Sequence, residues 1–179
     1  MVSMASKLPN PPSTTLDDQL CFALYAASRA VTNHYRPLVD ELGITYPQYL
    51  VLLVLWERDG STVKDLGAEL QLDSGTLSPL LKRLEAASLI RRTRRADDER
   101  SVNVTLTRKA QALRTKAICL PQAILTAMAL DDRTLAELRQ TMRTLAATVR
   151  AAPPATPQHQ TRTIANTAVR RTRKEPPHD

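Results

Sequence analysis

The sequence predicts a mostly α-helical protein carrying one small β-hairpin, and three observations predict it. Up to Pro153, apolar residues recur at three- and four-residue intervals, the period of helices with one buried face. One stretch, Ser101–Leu106 (SVNVTL), alternates instead with a period of two, the mark of a half-buried strand. Gly is scarce, at 4 residues, beside plentiful Leu and Ala, which suits helices. A chain of 179 residues, 42% hydrophobic, is large enough for one domain and a tail.

Residues 1–15, rich in Pro, Ser and Thr, are expected to form a flexible N-terminus. A first helix is expected from about Leu16, with Thr15 as its N-cap and Asp17 and Asp18 in its first turn. Leu20, Ala23, Leu24, Ala27, Ala30 and Val31 make its apolar stripe. Pro37 is expected to bend or break it near Tyr35 and Arg36, and Gly43 to close the segment. TYPQYLVLLVLWE is a second helix, apolar almost all round and therefore buried against several neighbours. Thr45 can cap it, Pro47 fits its first turn, and Asp59-Gly60 ends it.

Thr62 and Asp65 stand in a capping-box relation that starts a third helix, with Val63, Leu66 and Leu70 facing inward. Asp73 or Ser74 caps a fourth, whose buried side is Leu77, Leu80, Leu81 and Leu84, with Pro79 about one turn in. Ile90–Arg95 and Ser101–Leu106 then form the hairpin, with Arg94, Arg95, Asp97, Asp98, Glu99 and Arg100 crowding its tip. Helix, short turn, helix and hairpin over about residues 61–107 is the order of a winged helix-turn-helix, whose second helix enters the DNA major groove. The candidate DNA-binding residues are Asp73, Ser74, Gly75, Thr76, Ser78, Lys82 and Arg83 on that helix, with Arg94, Arg95, Asp98 and Arg100 on the wing. Small polar residues followed by basic ones suit base edges first and phosphates next.

Thr107 is expected to cap a fifth helix running to about Met128 and interrupted at Pro121. Asp131 or Asp132 opens a sixth, with Leu135, Leu138, Met142, Leu145 and Val149 along one face. Residues 153–179 lose the apolar period, hold five basic and two acidic residues, and read as a disordered basic tail. The helical regions at about 16–42 and 108–152 cannot bury their stripes on so small a winged helix. A second copy solves that, and a two-fold homodimer also matches a pseudo-palindromic operator in double-stranded DNA.

The net charge of +7 and pI of about 9.8 favour an anionic partner such as nucleic acid. No apolar run approaches the roughly 18 residues that span a bilayer, and residues 1–15 lack an apolar signal core. A cytoplasmic protein without a membrane partner is the expectation. Cys21, Cys119, His34, His159 and His178 stand at no recognised ligand spacing, so neither a metal nor another cofactor is expected.

The helix pair followed by ADDERSVNVTLT resembles the MarR family of winged-helix regulators, whose wing carries a D-x-R-x5-L-T pattern. Here that pattern is Asp98, Arg100, Leu106 and Thr107, and the likeness covers about residues 16–150. LCFALYAASRAVTNHYRPLVDELGITYPQYLVLLVLWE and LDSGTLSPLLKRLE are similar to the OhrR subfamily of organic-hydroperoxide sensors. Its signature of one N-terminal Cys and two Tyr is carried by Cys21, Tyr35 and Tyr46. The resemblance implies a repressor in which the hydroperoxide oxidises the Cys21 thiolate, with tyrosine hydroxyls donating to the sulfur. It also implies an apolar pocket, for which Phe22, Leu24 and the second helix are candidate walls. Release from the operator would then derepress peroxide-detoxification genes. Two-cysteine members carry a resolving Cys a few residues beyond the proline that here is Pro121, whereas Cys119 precedes it. Both endings stay open: Cys119 as the resolving thiol, or a small thiol forming a mixed disulfide, which the departure slightly favours.

Each sharp reading has a plainer rival. Cys21 alone would be a small buried hydrophobe; Tyr35 and Tyr46 could be half-buried packing. Asp98 and Arg100 could pair only to shape the wing, and Lys82 and Arg83 could be a solvated face. Tyr25 and Tyr49 read as core or interface, and Trp56 as core. Among functions, the rival regulator releases DNA on binding a phenolic or other non-oxidant ligand in the dimer crevice. A Cys-dependent peroxidase is disfavoured, because no acid, base or Arg accompanies Cys21 to drive turnover. No enzymatic activity is expected.

Overall fold

The computed structural model describes residues 15–94 and 101–154. These fall into two compact units, the first ending at Leu130 and the second beginning at Asp131. The first holds α1 (Leu20–Asp40), α2 (Tyr46–Glu57), β1 (Ser61–Thr62), α3 (Val63–Leu70), α4 (Ser74–Ala86), β2 (Ile90–Arg94), β3 (Val102–Leu106), α5 (Arg108–Ala117) and α6 (Leu120–Met128). The second holds α7 (Asp132–Ala151).

The first helix starts four residues later than its acidic pair suggested. Thr15 Oγ1 donates to the Asp18 carboxylate at 2.7 Å and the Gln19 N–H to Leu16 O at 3.1 Å, closing a turn before the helix. Asp17 and Asp18 therefore lie outside α1, whose first turn has no acidic residue. Pro37 does not break it either. Proline forfeits one ladder bond to the residue four before it, but Pro37 sits in the last turn, and its own carbonyl accepts the Glu41 N–H at 3.2 Å. Gly43, at φ 70°, then turns the chain as expected.

In α2 the Gln48 side chain accepts the Thr45 N–H at 2.8 Å, closing the N-terminus reciprocally, and Pro47 occupies the first turn. Tyr49, Val51, Leu52 and Leu55 are buried together with Leu66, Leu77, Leu81, Leu84, Ile90 and Val104 in one core. Trp56 lies at its edge and donates its indole N–H to Ala110 O at 3.0 Å, tying α2 to α5.

Thr62 and Asp65 form the expected box on α3. The turn into α4 is tight: Gln71 is left-handed at φ 57°, and a Cβ on Gly67 would meet Leu72 O at 3.0 Å. Asp73 caps α4, and the four expected leucines are its buried residues. The hairpin is joined by a third, two-residue strand that sequence patterning could not find, since two residues show no period. The sheet order is β1-β3-β2, antiparallel, with Ser61 opposite Val104 and Arg92 also opposite Val104 from the other side.

Thr107 caps α5, accepting the Ala110 N–H at 3.3 Å. The break after it falls at Ile118–Cys119 and not at Pro121, which lies in the first turn of α6, where its missing N–H has no helical partner to lose. In the second unit Asp131 caps α7 through the Thr134 N–H at 2.7 Å. Leu135, Met142 and Leu145 are half-buried, Leu138 and Val149 exposed, and no α7 residue is fully buried. The tail expected over 153–179 lies, after Pro154, outside the described residues.

Candidate nucleic-acid interface and thiol site

The polar side of α4 is built by its cap and its leucines. With Leu77, Leu80, Leu81 and Leu84 turned inward, Ser74, Gly75, Thr76, Lys82 and Arg83 are exposed and Ser78 is half-buried. Asp73 accepts both the Thr76 N–H, at 2.8 Å, and its hydroxyl, at 3.0 Å. The backbone bond from Thr76, then that hydroxyl, hold the Asp73 carboxyl below the usual carboxylate range. Asp73 and Thr76 are thus spent largely on starting the helix, whereas Ser74, Ser78 and Lys82, four apart, form an open row. Arg83 Nε donates to Pro79 O at 3.3 Å, a carbonyl on its own helix.

A groove of about 800 Å³ runs between α3, α4 and the sheet, with Lys64, Ser74, Ser78, Arg92 and Ser101 along its walls. Lys64 and Arg92 are additions to the residues singled out by sequence. A basic residue on the exposed side of α3 could have been found by helical spacing, but Arg92 could not. Arg94 is exposed at the end of β2, while Arg95, Asp98 and Arg100 lie outside the described residues.

The motif threonine has a clear structural role. Thr107 Oγ1 donates to Ser88 O at 2.8 Å while accepting the Ala110 N–H, so one hydroxyl ends the wing, caps α5 and reaches the turn after α4. Asp59 does the matching work at the other side, accepting the Leu106 N–H at 2.8 Å.

Cys21 is the second residue of α1 and is exposed. Tyr35 and Tyr46 are brought together, their ring centroids 4.7 Å apart, with Tyr49 6.0 Å from Tyr35. Burial, then the neighbouring Tyr46 and Tyr49, push the Tyr35 phenol up to about 12, and burial raises Tyr46 as well. Both hydroxyls therefore hold their protons near neutrality and are donors. Among the described residues neither has a hydrogen-bond partner. Because α1 is unbroken, Cys21 and Tyr35 are separated by about 21 Å of helix. The three residues expected to share a site do not meet within one chain.

Cys119 is also exposed and is not disulfide-bonded; it occupies the N-cap position of α6, its thiol 3.6 Å from Lys116 O. It lies close enough to Tyr49 to help raise that phenol, after burial and Tyr46. A cleft of about 300 Å³ opens beside Tyr49, lined also by Leu53, Trp56, Arg114, Ile118 and Pro121. The second helix supplies one apolar wall of this cleft, and Phe22 and Leu24, near the far end of α1, do not line it. Among the described residues no group of three or more His, Cys, Asp or Glu could hold a metal ion. None of their helices is long and apolar enough to cross a membrane.

A capped recognition helix packed on α3, followed by an antiparallel wing, defines a winged-helix DNA-binding protein. The sequence matches the family described as "Transcriptional regulator SarA/Rot" over residues 33–116. It is 49% identical over 134 residues to the organic hydroperoxide resistance transcriptional regulator of Bacillus subtilis (strain 168), covering 75% of this chain and 91% of that one. It is 51% identical over 133 residues to the HTH-type transcriptional regulator TtmR of Methylorubrum extorquens (strain PA1), covering 73% and 68%. Among solved structures it resembles overoxidised AbfR bound to DNA, with a TM-score of 0.62 and 38% identity over 74% of this chain and 94% of that one. AbfR has also been solved reduced and bound to DNA, and with a disulfide formed. The chain belongs to the MarR family of winged-helix transcriptional regulators, of the organic-hydroperoxide-regulator type, and the B. subtilis and M. extorquens relatives are transcriptional regulators.

Proposed function

We propose that the chain is a homodimeric repressor that holds a pseudo-palindromic operator while Cys21 is reduced and releases it when an organic hydroperoxide oxidises Cys21. One observation carries this reading: Tyr35 and Tyr46 present two protonated, unspent hydroxyls about 21 Å along α1 from their own Cys21. The Cys21 sulfur can then reach them only from a second chain. The thiol switch is then part of the dimer contact, and oxidation at it is felt by both recognition helices. The B. subtilis relative, a regulator of organic hydroperoxide resistance, supports the choice of signal.

In the proposed cycle the Cys21 thiolate attacks the terminal peroxide oxygen. The O–O bond breaks, the sulfur becomes sulfenic acid, and the alkoxide leaves as alcohol after taking a proton. A small thiol then condenses with the sulfenic acid, losing water, or the partner's Cys119 does so. Cys119 stands beside Tyr49 in the same aromatic cluster as Tyr35 and Tyr46, so a Cys21 docked on that cluster from a second chain would have it nearby. The helices at about 16–42 and 108–152 would form the dimer, residues 61–107 would read DNA, and Ser74, Ser78, Lys82, Arg94, Arg95 and Arg100 would make the contacts. Half-sites on one DNA face are about 34–36 Å apart, so a shift of a few Å disengages one recognition helix.

The test is fluorescence anisotropy on the intergenic DNA upstream of its own gene, at fixed salt, with cumene hydroperoxide added to wild type and to Cys21→Ser. Release by wild type, recovery with a dithiol, and continued binding by Cys21→Ser are expected. Wild type that binds DNA and ignores hydroperoxide would defeat the thiol switch and favour a crevice-ligand regulator. Cys119→Ser distinguishes the two endings: if Cys119 resolves, the intersubunit disulfide vanishes from a non-reducing gel.

A further inference from the structure

The last turn of α4 carries a carboxylate where the helix dipole disfavours one: Glu85 stands one residue from the helix end. A residue that breaks a local rule usually answers to something outside its own helix. Here that is Arg92, in the middle of β2. Glu85 Oε1 accepts the Arg92 backbone N–H at 3.1 Å, and Oε2 accepts Arg92 Nε at 2.8 Å and a terminal guanidinium nitrogen as well.

β2 is an edge strand of the β1-β3-β2 sheet. Alternate N–H groups along such an edge point away from the sheet and need a partner from elsewhere. Glu85 fills that need at Arg92 and neutralises the guanidinium with the same carboxylate. Side-chain exposures of 28% for Arg92 and 36% for Glu85 leave the pair half-buried, where a forked charge-assisted contact is worth more than a surface ion pair. The hydrogen bonds from Arg92 hold the Glu85 carboxyl below the usual carboxylate range. The pair bridges the recognition helix directly to the strand that leads, two residues later, to Arg94 and the wing tip.

We propose that Glu85 is a positioning residue for DNA binding, setting the angle between recognition helix and wing through Arg92 without touching DNA itself. This rests on the reading that Arg94 and the wing tip contact DNA. The short turn at 87–89 connects the two elements, and the Glu85–Arg92 fork adds a second tie that limits how the hairpin swings relative to α4. Both parts of one half-site can then be engaged together.

The test uses the full-length protein, reduced, on its operator. Glu85→Gln keeps the size and one acceptor but loses the charge, and Arg92→Lys keeps the charge but loses the fork. Arg94→Ala reports on the wing contact itself. Affinity, its salt slope and a hydroxyl-radical footprint are measured, with circular dichroism at the assay temperature as the check on folding. For Glu85→Gln, affinity should fall about tenfold, as for one lost charge-assisted contact. The salt slope should become shallower by about one unit, and the footprint should fade at the wing while staying intact in the major groove. Arg92→Lys should give the same pattern and carries the test if Glu85→Gln misfolds. Wild-type affinity and footprint in both folded variants overturn the proposal, as does a footprint that fades evenly at helix and wing. An Arg94→Ala protein indistinguishable from wild type overturns the wing reading beneath it.

Discussion

Replacing Thr107 by Val tests whether one hydroxyl holds the wing to the rest of the winged helix. Valine keeps the β-branched shape, and the backbone bond from residue 107 N–H to Leu89 O, 3.0 Å in the structure, survives the change. Three interactions of the hydroxyl do not, the weakest being a shared donation to Leu89 O at 3.2 Å, a carbonyl that keeps the backbone donor. The N-cap of α5 loses its acceptor for the Ala110 N–H, which costs about 1 kcal/mol. Ser88 O loses its donor, 2.8 Å away, for roughly another 1 kcal/mol. The expected loss is about 2 kcal/mol. At a urea slope of about 2 kcal/mol per molar, the midpoint falls by about 1 M. The assay is urea unfolding followed by circular dichroism at one fixed protein concentration, because association would contribute to apparent stability. Thr107→Ser keeps the hydroxyl and should lose much less. A Val variant within about 0.25 M of wild type, or a Ser variant as unstable as Val, would refute the reasoning.

Two further outcomes follow from the same structure. Leu84→Ala empties a fully buried site between α4 and the core and should cost about 2–5 kcal/mol in the same urea assay, depending on how far the site collapses; a loss under about 1 kcal/mol would mean the α4 packing is wrong. The Tyr35 phenol, raised to about 12, is neutral in the fold at pH values where an unfolded tyrosine is ionised. Stability from this group is complete below about pH 10 and is lost as pH rises toward 12. A tyrosinate absorbance titration near 295 nm should show a component close to 12 that Tyr35→Phe removes, and its persistence in that variant would assign it elsewhere.

Much of the fold was legible because its signals are local. Thr62 with Asp65, Asp73 with Thr76, Thr107 with Ala110 and Asp131 with Thr134 each act over three residues, and the leucines of α4 repeat with the helix turn. Local rules also misled in identifiable ways. Asp18 looked like a first-turn acid but is used by Thr15, and Pro37 looked like a breaker but sits where only one ladder bond is at stake. The α5–α6 break was expected at the proline, yet the chain turns two residues earlier and uses Pro121 to start the next helix.

The sequence by itself determined the helix-turn-helix, the wing and the family to which the chain belongs, and it singled out Cys21, Tyr35 and Tyr46 as candidates. Capping, periodicity and motif spacing are properties of neighbours along the chain. Only the tertiary structure decided that Glu85 grips Arg92, that Asp59 holds Leu106, that Ser61–Thr62 adds a third strand, and that Cys21 stands a helix-length from the tyrosines. These arrangements join residues on different elements, or separate residues a motif puts in one list. Their energies come from burial, edge pairing and charge-assisted contacts that exist only once the elements have packed.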